Sequence, residues 1–161
     1  MFVRSVARVG AVARRSLATE AAASKEMVLN FVTPHSTVYS AKTVDKVILP
    51  GAQGEYGVTV GHSPIISQLQ PGLVTVVHAG GEMEKFFVAG GFSMTNAESV
   101  TDVSVTEAVP LDELDESAIK TGFAEATKAV GSAADGSVEK ATAQIEIATY
   151  AAMARAAGIA L

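Results

Sequence analysis

Cysteine and tryptophan are both missing from the 161-residue chain. Without thiols there can be no disulfide framework and no thiolate metal site. The three histidines, His35, His62 and His78, are scattered, and no Cys or His partner stands at ligand spacing. No apolar run reaches the roughly 18–20 residues that cross a bilayer, so any membrane association must go through partner proteins. Neither a Gly-Lys-[Ser/Thr] phosphate loop nor a Gly-x-Ser-x-Gly nucleophile elbow is present. Acids are absent from the first nineteen residues, which hold Arg4, Arg8, Arg14 and Arg15. Hydrophobic residues make up 48% of the chain, enough for a packed core, although much of that share is alanine.

Charge divides the chain. After residue 19 there are eight Lys or Arg against seventeen Asp or Glu, a balance of −9. In the leader, Phe2, Val6, Val9 and Ala13 share one helical face, with Arg4, Arg8 and Arg15 on another. A basic, amphipathic, acid-free leader on an acidic body reads as a cleaved mitochondrial presequence over residues 1–24. Arginines interrupt each apolar stretch before a secretory h-region could form.

From Met27 to about Val109 the pattern has period two or short apolar runs, punctuated by glycine. Met27, Leu29 and Phe31 alternate with Val28, Asn30 and Val32. Val44, Val47 and Leu49 mark a second stretch. The run from Leu73 to Val77 turns through Ala79, Gly80 and Gly81 into a run from Met83 to Val88, which predicts a hairpin. Phe92 to Met94 and Val100 to Val105 continue the series, with Phe86, Phe87 and Phe92 expected in the core. Beyond Pro110 the sequence favours helix. Asp112 and Ser137 are candidate N-caps of two helices. Leu111, Leu114, Ala118, Gly122, Ala126 and Ala129 form one stripe; Val138, Ala141, Ile145, Ala148, Ala152 and Ile159 form the other. Small residues on facing stripes let antiparallel helices approach closely. The expected fold is α+β: an antiparallel β-sandwich over 25–109, then an αα-hairpin over 110–161.

One segment is more specific. Gly54-Glu55-Tyr56-Gly57 and Gly61-His62-Ser63-Pro64 are followed by Pro71-Gly72-Leu73-Val74, and later by Phe87-Val88-Ala89-Gly90-Gly91-Phe92. Closely spaced glycines imply backbone conformations or approaches that a Cβ would forbid. In type and spacing these four pieces resemble the signature of the ATP synthase epsilon/delta subunit family, and the layout of sandwich then hairpin agrees. One departure is Val60, where that family usually has proline.

The resemblance implies a job without chemistry of its own and without a cofactor. Its members sit on the central stalk against the gamma subunit, touch the membrane c-ring, and couple ring rotation to the catalytic head. The mitochondrial form also binds a very small partner called epsilon, in a complex on the matrix side of the inner membrane. By position in the motif, Gly51, Ala52, Gln53, Gly54 and Glu55 should approach the c-ring. Thr33, His62, Ser63 and Pro64 should lie nearer gamma. Some bacterial members bind ATP through an Asp and several arginines in the hairpin. This hairpin has only Arg155, so nucleotide binding is not carried over.

Other readings of the same residues are plainer. Asp112, Glu113, Asp115 and Glu116 resemble a calcium cluster, but helix capping accounts for them. His62-Ser63 resembles a base and nucleophile, but neighbours on a strand face opposite ways. The plainer reading of the leader is a disordered basic tail that binds nucleic acid or lipid; with the presequence reading preferred, no nucleic-acid partner is expected. The competing class is a free matrix β-sandwich that binds a small molecule, with the hairpin as a lid.

Overall fold

The computed structural model describes residues 26–161; the presequence assigned to 1–24 lies outside them. Ten strands come first: β1 (Met27–Val32), β2 (Thr37–Val44), β3 (Lys46–Gly51), β4 (Gly54–Thr59), β5 (Ile65–Leu69), β6 (Gly72–Val77), β7 (Met83–Val88), β8 (Gly91–Thr95), β9 (Val100–Val105) and β10 (Ala108–Pro110). A 3-10 turn (Leu111–Glu113) leads to α1 (Glu116–Ser132) and α2 (Val138–Ala157).

The ladder runs β10-β7-β6-β3-β5-β8-β9-β1-β2, with β4 paired to β3. It folds into two layers that meet where Gly51 of β3 pairs with Leu69 of β5. Neighbours are antiparallel except β1 and β9, which run parallel. These two are far apart in the chain, so no tight turn constrains their direction. The period-two reading of β1 holds: Met27, Leu29 and Phe31 are fully buried and the residues between them are not. They meet Val47, Leu49, Val74, Val76, Phe86 and Val88 of the facing layer in one core. Phe31 and Phe86 pack edge-to-face at 5.5 Å, which ties the layers together. The hairpin expected around Gly80 and Gly81 forms between β6 and β7.

Two details of the helical part differ from expectation. Asp112 caps no helix. It lies in the 3-10 turn, Leu114 is extended, and Asp115 caps α1 by accepting from the N–H groups of Ser117 and Ala118. Ser137 does cap α2, accepting from Lys140 N–H. The stripe of α2 that packs is also another one. Ala143 and Ala154 are buried, with Ile147 and Tyr150 half-buried between them. Val138 and Ile145 of the expected stripe are 77% and 66% exposed. At 100° per residue the two stripes lie on opposite faces, so α2 could have packed either way. The stripe used lets Tyr150 of α2 lie directly over Gly122 of α1. Ala152 is buried all the same, because there α2 crosses β6.

A Cβ on Gly122 would stand 2.6 Å from the Tyr150 hydroxyl oxygen. Gly122→Ala gains about 1 kcal/mol of helix propensity and incurs about 1–3 kcal/mol of overpacking. It should therefore lower stability in the native chain, but raise it by about 1 kcal/mol in a Tyr150→Ala background. Urea unfolding of the four proteins of this double-mutant cycle measures both signs. Equal effects in the two backgrounds would exclude the contact as the cause.

Candidate interaction surface

The segment singled out by its glycines is a hairpin. Strands β3 and β4 pair from Lys46–Thr59 up to Gly51–Gly54, and Ala52 and Gln53 form the turn. Gly51 is needed for space: a Cβ there would sit 2.8 Å from the Tyr56 ring and 2.9 Å from Gly54 O. Gly54 is needed for conformation, with φ +128°. The tip is held from the side. Ala52 N–H donates to Gln68 O at 2.9 Å, Gln70 N–H donates to Pro50 O at 2.9 Å, and Gln70 Nε2 donates to Ala52 O at 3.2 Å. Tyr56 reaches across the core to Ser93, Oη to Oγ 2.6 Å. Gln53, Gly54 and Glu55 are exposed on this braced tip. Glu55 has no ion pair among the described residues. Behind the tip a groove of about 350 Å³ separates it from Ala152, Arg155 and Ala156 of α2.

His62, Ser63 and Pro64 form the turn into β5, not a strand, so strand alternation does not govern them. Gly61, at φ +75°, donates its N–H to Ser99 Oγ at 3.0 Å. His62 N–H donates to Thr59 O, and its Nδ1 lies 2.7 Å from Ser63 O. Ser63 and Pro64 are exposed. Thr33 does not join them. Register carries one row across the sheet from Gly51 through Leu69, Gly91 and Val105 to the end of β1, where Thr33 stands. Ile65, just past Pro64, lies instead in the row of Thr95, Thr101 and Leu29. Four residues of β1 separate these rows, about 13 Å. Thr33 therefore lies at the same end as the Gly51–Gly54 tip, and His62 at the other.

Strand β8 has polar residues inside and apolar ones outside. Ser93 and Thr95 are buried; Phe92 and Met94 are 61% and 47% exposed. The polar groups have partners: Ser93 with Tyr56, and Thr95 with Thr101 at 3.0 Å. Phe92 is thus not the core residue expected. Met94 pairs directly with Ile66 of β5, which is 75% exposed, and Val60 and Ile65 lie nearby along the chain at 40% and 37%. Cross-strand neighbours on one face lie about 5 Å apart, so Ile66, Phe92 and Met94 form a contiguous apolar patch. The sequence carried the signal in the alternation Phe92-Ser93-Met94-Thr95, which is readable in either orientation.

Charge is organised at the β2–β7 side. The Tyr39 hydroxyl donates to Glu84, and His78 Nε2 lies 2.6 Å from the same carboxylate. The Tyr39 hydrogen bond holds Glu84 below its ordinary carboxylate value, with His78 and Lys42 adding to this. Burial first, then the Glu84 carboxylate, raises the Tyr39 phenol well above its ordinary value of 10.0. Among the described residues no group of three His, Cys, Asp or Glu could hold a metal, and no helix is long and apolar enough to cross a membrane.

With this geometry in view, three comparisons bear on identity. Residues 26–111 match the model of the beta-sandwich domain of the ATP synthase delta/epsilon chain. The chain is 39% identical over 147 residues to the mitochondrial ATP synthase F(1) complex subunit delta of Dictyostelium discoideum, covering 91% of this chain and 86% of that one. It is 40% identical over 136 residues to the mitochondrial ATP synthase subunit delta of Saccharomyces cerevisiae, covering 84% of each. Among solved structures, a chain of the Euglena gracilis mitochondrial ATP synthase, in a structure of its OSCP, F1 and c-ring parts, superposes with TM-score 0.76 at 25% identity over 81% of each chain. A chain from the central stalk and c-ring of the Tetrahymena thermophila enzyme shares the fold, with TM-score 0.55 at 13% identity.

The Tyr39–Glu84 bond contributes to both limbs of the pH–stability curve. The phenol's value is raised on folding, so its contribution is complete below pH 10 and is lost as the pH rises above it. The carboxylate's value is lowered, so its contribution is present above the ordinary carboxylate range and is lost as pH falls through the folded value. Tyr39→Phe should flatten the alkaline limb, and Glu84→Gln the acid limb. Denaturant unfolding from pH 3 to 11 reads both; a Tyr39→Phe curve parallel to wild type above pH 10 would exclude this assignment.

Proposed function

Since the chain belongs to the ATP synthase delta/epsilon family, we propose that it is the non-catalytic rotor subunit of a mitochondrial ATP synthase, joining the c-ring to the gamma subunit so that ring rotation reaches the catalytic head. The observation that carries this reading is the inverted strand β8. A free protein gains nothing by exposing Phe92, Met94 and Ile66 while burying Ser93 and Thr95. Burying such a side chain is worth about 1.5–3 kcal/mol, and a partner that covers the patch recovers that energy.

The assignment of surfaces follows. The patch and the adjoining His62, Ser63 and Pro64 face the gamma subunit. The braced tip, with Gln53, Gly54 and Glu55, faces the c-ring, and Glu55 meets basic groups on the ring loops. Such rim charges fix register and on-rate more than affinity. Thr33, by its place in the sheet, goes with the tip. The sandwich over 25–109 is the clamp, and its close packing transmits load without yielding. The hairpin over 110–161 completes the subunit, and the small mitochondrial epsilon chain is a third partner. Residues 1–24 deliver the chain to the matrix side of the inner membrane and are then removed.

The deciding experiment is to tag the C-terminus, solubilise mitochondrial membranes gently, and identify the chains that co-migrate on a native gel. Recovery with gamma and c-ring subunits is expected. Recovery as a free matrix protein would replace the rotor with the small-molecule-binding reading. In the same assay, Ile66→Glu with Phe92→Glu should lower incorporation at least about tenfold, the equivalent of 1.4 kcal/mol. Both sites are exposed, so the free chain's stability should stay within about 0.5 kcal/mol of wild type. Glu55→Lys should slow assembly or loosen coupling of ATP hydrolysis to proton pumping; unchanged assembly and coupling would remove Glu55 from the ring contact.

A further inference from the structure

The strand ladder is a continuous sheet with two ends. Strand β2 lies at one end and pairs with β1; β7 and β10 lie at the other. β10 covers Phe86, Phe87 and Val88 of β7, which leaves the edge at Met83, Glu84 and Lys85 open. The sheet curls so that its ends face each other, yet among the described strands no ladder joins β2 to β7. Side chains join them instead. The Tyr39 hydroxyl donates to one carboxylate oxygen of Glu84, and His78 Nε2 lies 2.6 Å from the other. The Tyr39 ring is boxed by Phe31 at 6.4 Å, Phe86 at 6.0 Å and His78 at 5.9 Å, the last two edge-to-face. Next to this cluster the seam stands open as a gap of about 290 Å³, with Lys42 and Thr43 on one side and His78, Ala79 and Glu82 on the other.

The edge strand is shaped to deliver Tyr39. Leu29 faces Lys42 and Phe31 faces Tyr39, so Asn30 lies opposite both Ser40 and Ala41. The extra residue makes a bulge, with Ala41 at φ +48°. A side chain keeps that conformation only when its surroundings hold it. Asn30 holds it: Oδ1 accepts from Ala41 N–H at 2.7 Å, and Nδ2 donates to Asp102 of β9 at 2.6 Å. Bulges re-aim the side chains beside them. In a regular strand Val38 and Tyr39 would face opposite ways; here both pack against the core.

We propose that Tyr39, Glu84 and His78 form a strap that shuts this seam and stiffens the sandwich against twist. A tube resists twist when its wall is closed; along an open slit the two edges slide past each other. On the opposite side the ladder itself passes between the layers at Gly51 and Leu69. On this side the backbone crosses at the Asp45 corner, where N–H donates to Val77 O at 2.9 Å, and the strap holds the edges further along. Edge strands without a neighbour are the weakest part of a sheet, and the strap sits where both edges lack one. The strap stands on geometry alone; its mechanical consequence deepens the rotor reading and rests on it.

The test is amide hydrogen exchange of the folded chain in Tyr39→Phe, Glu84→Ala, their double variant and Glu84→Gln. Tyr39→Phe keeps the ring and removes only the hydroxyl, and Glu84 is 45% exposed, so all four should fold. The hydrogen-bonded amides of β2 should exchange about tenfold faster in Glu84→Ala and about threefold faster in Tyr39→Phe, while those of β5, β8 and β9 stay within about twofold of wild type. The double variant should match Glu84→Ala, since both changes open the same strap. Glu84→Gln, which keeps one acceptor oxygen, should exchange more slowly than Glu84→Ala. Unchanged exchange in β2, equal acceleration in every strand, or additive effects would overturn the strap. Its mechanical role is read in the assembled complex, where the double variant should co-purify with gamma at the wild-type level and pump fewer protons per ATP hydrolysed. A wild-type pumping ratio would overturn the stiffening role. Absence of the wild-type chain from the complex would overturn the rotor reading, and the exchange result would stand without it.

Discussion

The two layers of the sandwich are joined at Gly51, and the rest of the surface is organised from that joint. Gly51 faces Gly54 across the β3–β4 hairpin and Leu69 at the start of the second layer. The Tyr56 ring covers the place where its Cβ would be. Tyr56 can lie there only because Gly51 is bare, and from there it reaches Ser93 on the other layer. One missing side chain thus sets the tip of the hairpin, the seam between layers and a polar bond across the core. Gly72 plays a supporting part, since a Cβ on it would stand 2.8 Å from Pro50 Cβ.

That cross-core bond explains how strand β8 can be inverted. Burying Ser93 and Thr95 without partners would cost about 1–3 kcal/mol each. With Tyr56 and Thr101 as partners, each bond instead contributes about 1 kcal/mol, and no buried side-chain polar atom among the described residues lacks a partner. The inward face is therefore satisfied, and the outward face is free to be apolar. The cost is borne by Phe92, Met94 and Ile66, whose burial would each be worth more than one hydrogen bond. A sequence keeps such an arrangement stable in isolation only as far as the remaining core allows. Here that core is the fully buried set around Phe31, Leu49, Val74 and Val103.

How much of this was legible in the sequence depends on how far each signal was local. β1, β6 and β9 are legible because their apolar residues recur with period two or as β-branched runs, and β7 because the turn at Gly80 and Gly81 pairs it with β6. β2 is not, since it is an edge strand whose burial follows no alternation, and Ala41 interrupts it with φ +48°. β4 is hard to read as a strand, because its glycines signal turns as strongly as close packing. Phe92 was misplaced for a physical reason: alternation fixes which residues share a face, not which face is buried. The same ambiguity applies to α2, where two apolar stripes lie on opposite sides and the one with Tyr150, which lies over Gly122, is the one that packs on α1. Asp112 lost its cap to Asp115 because a 3-10 turn intervenes, which no capping rule foresees. Of the expected contact residues, those at 51–55 stay together because they share one hairpin. Thr33 is separated from His62 because the parallel pairing of β1 with β9 is a long-range fact that no local motif encodes.

The placement of the surfaces bears on how a small domain could carry load. The tip and the His62 turn are at opposite ends of the sandwich, and the apolar patch occupies the outer face of β5 and β8. A force applied at the tip enters β3 and β4 along their length, and the brace to Gln68 and Gln70 passes it to β5. From β5 it spreads to β8 and β9 through continuous ladder bonds, directly beneath the patch. The path runs through paired backbone and the Tyr56–Ser93 bond, with no flexible loop in series. A ladder pulled along its strands opposes motion with several hydrogen bonds at once, whereas a loop opposes it only with entropy. The hairpin of α1 and α2 lies off this path and touches the sheet through β6 near the end of α2. The Gly122–Tyr150 packing of the hairpin thus lies apart from the ladder that joins the tip to β5 and β8.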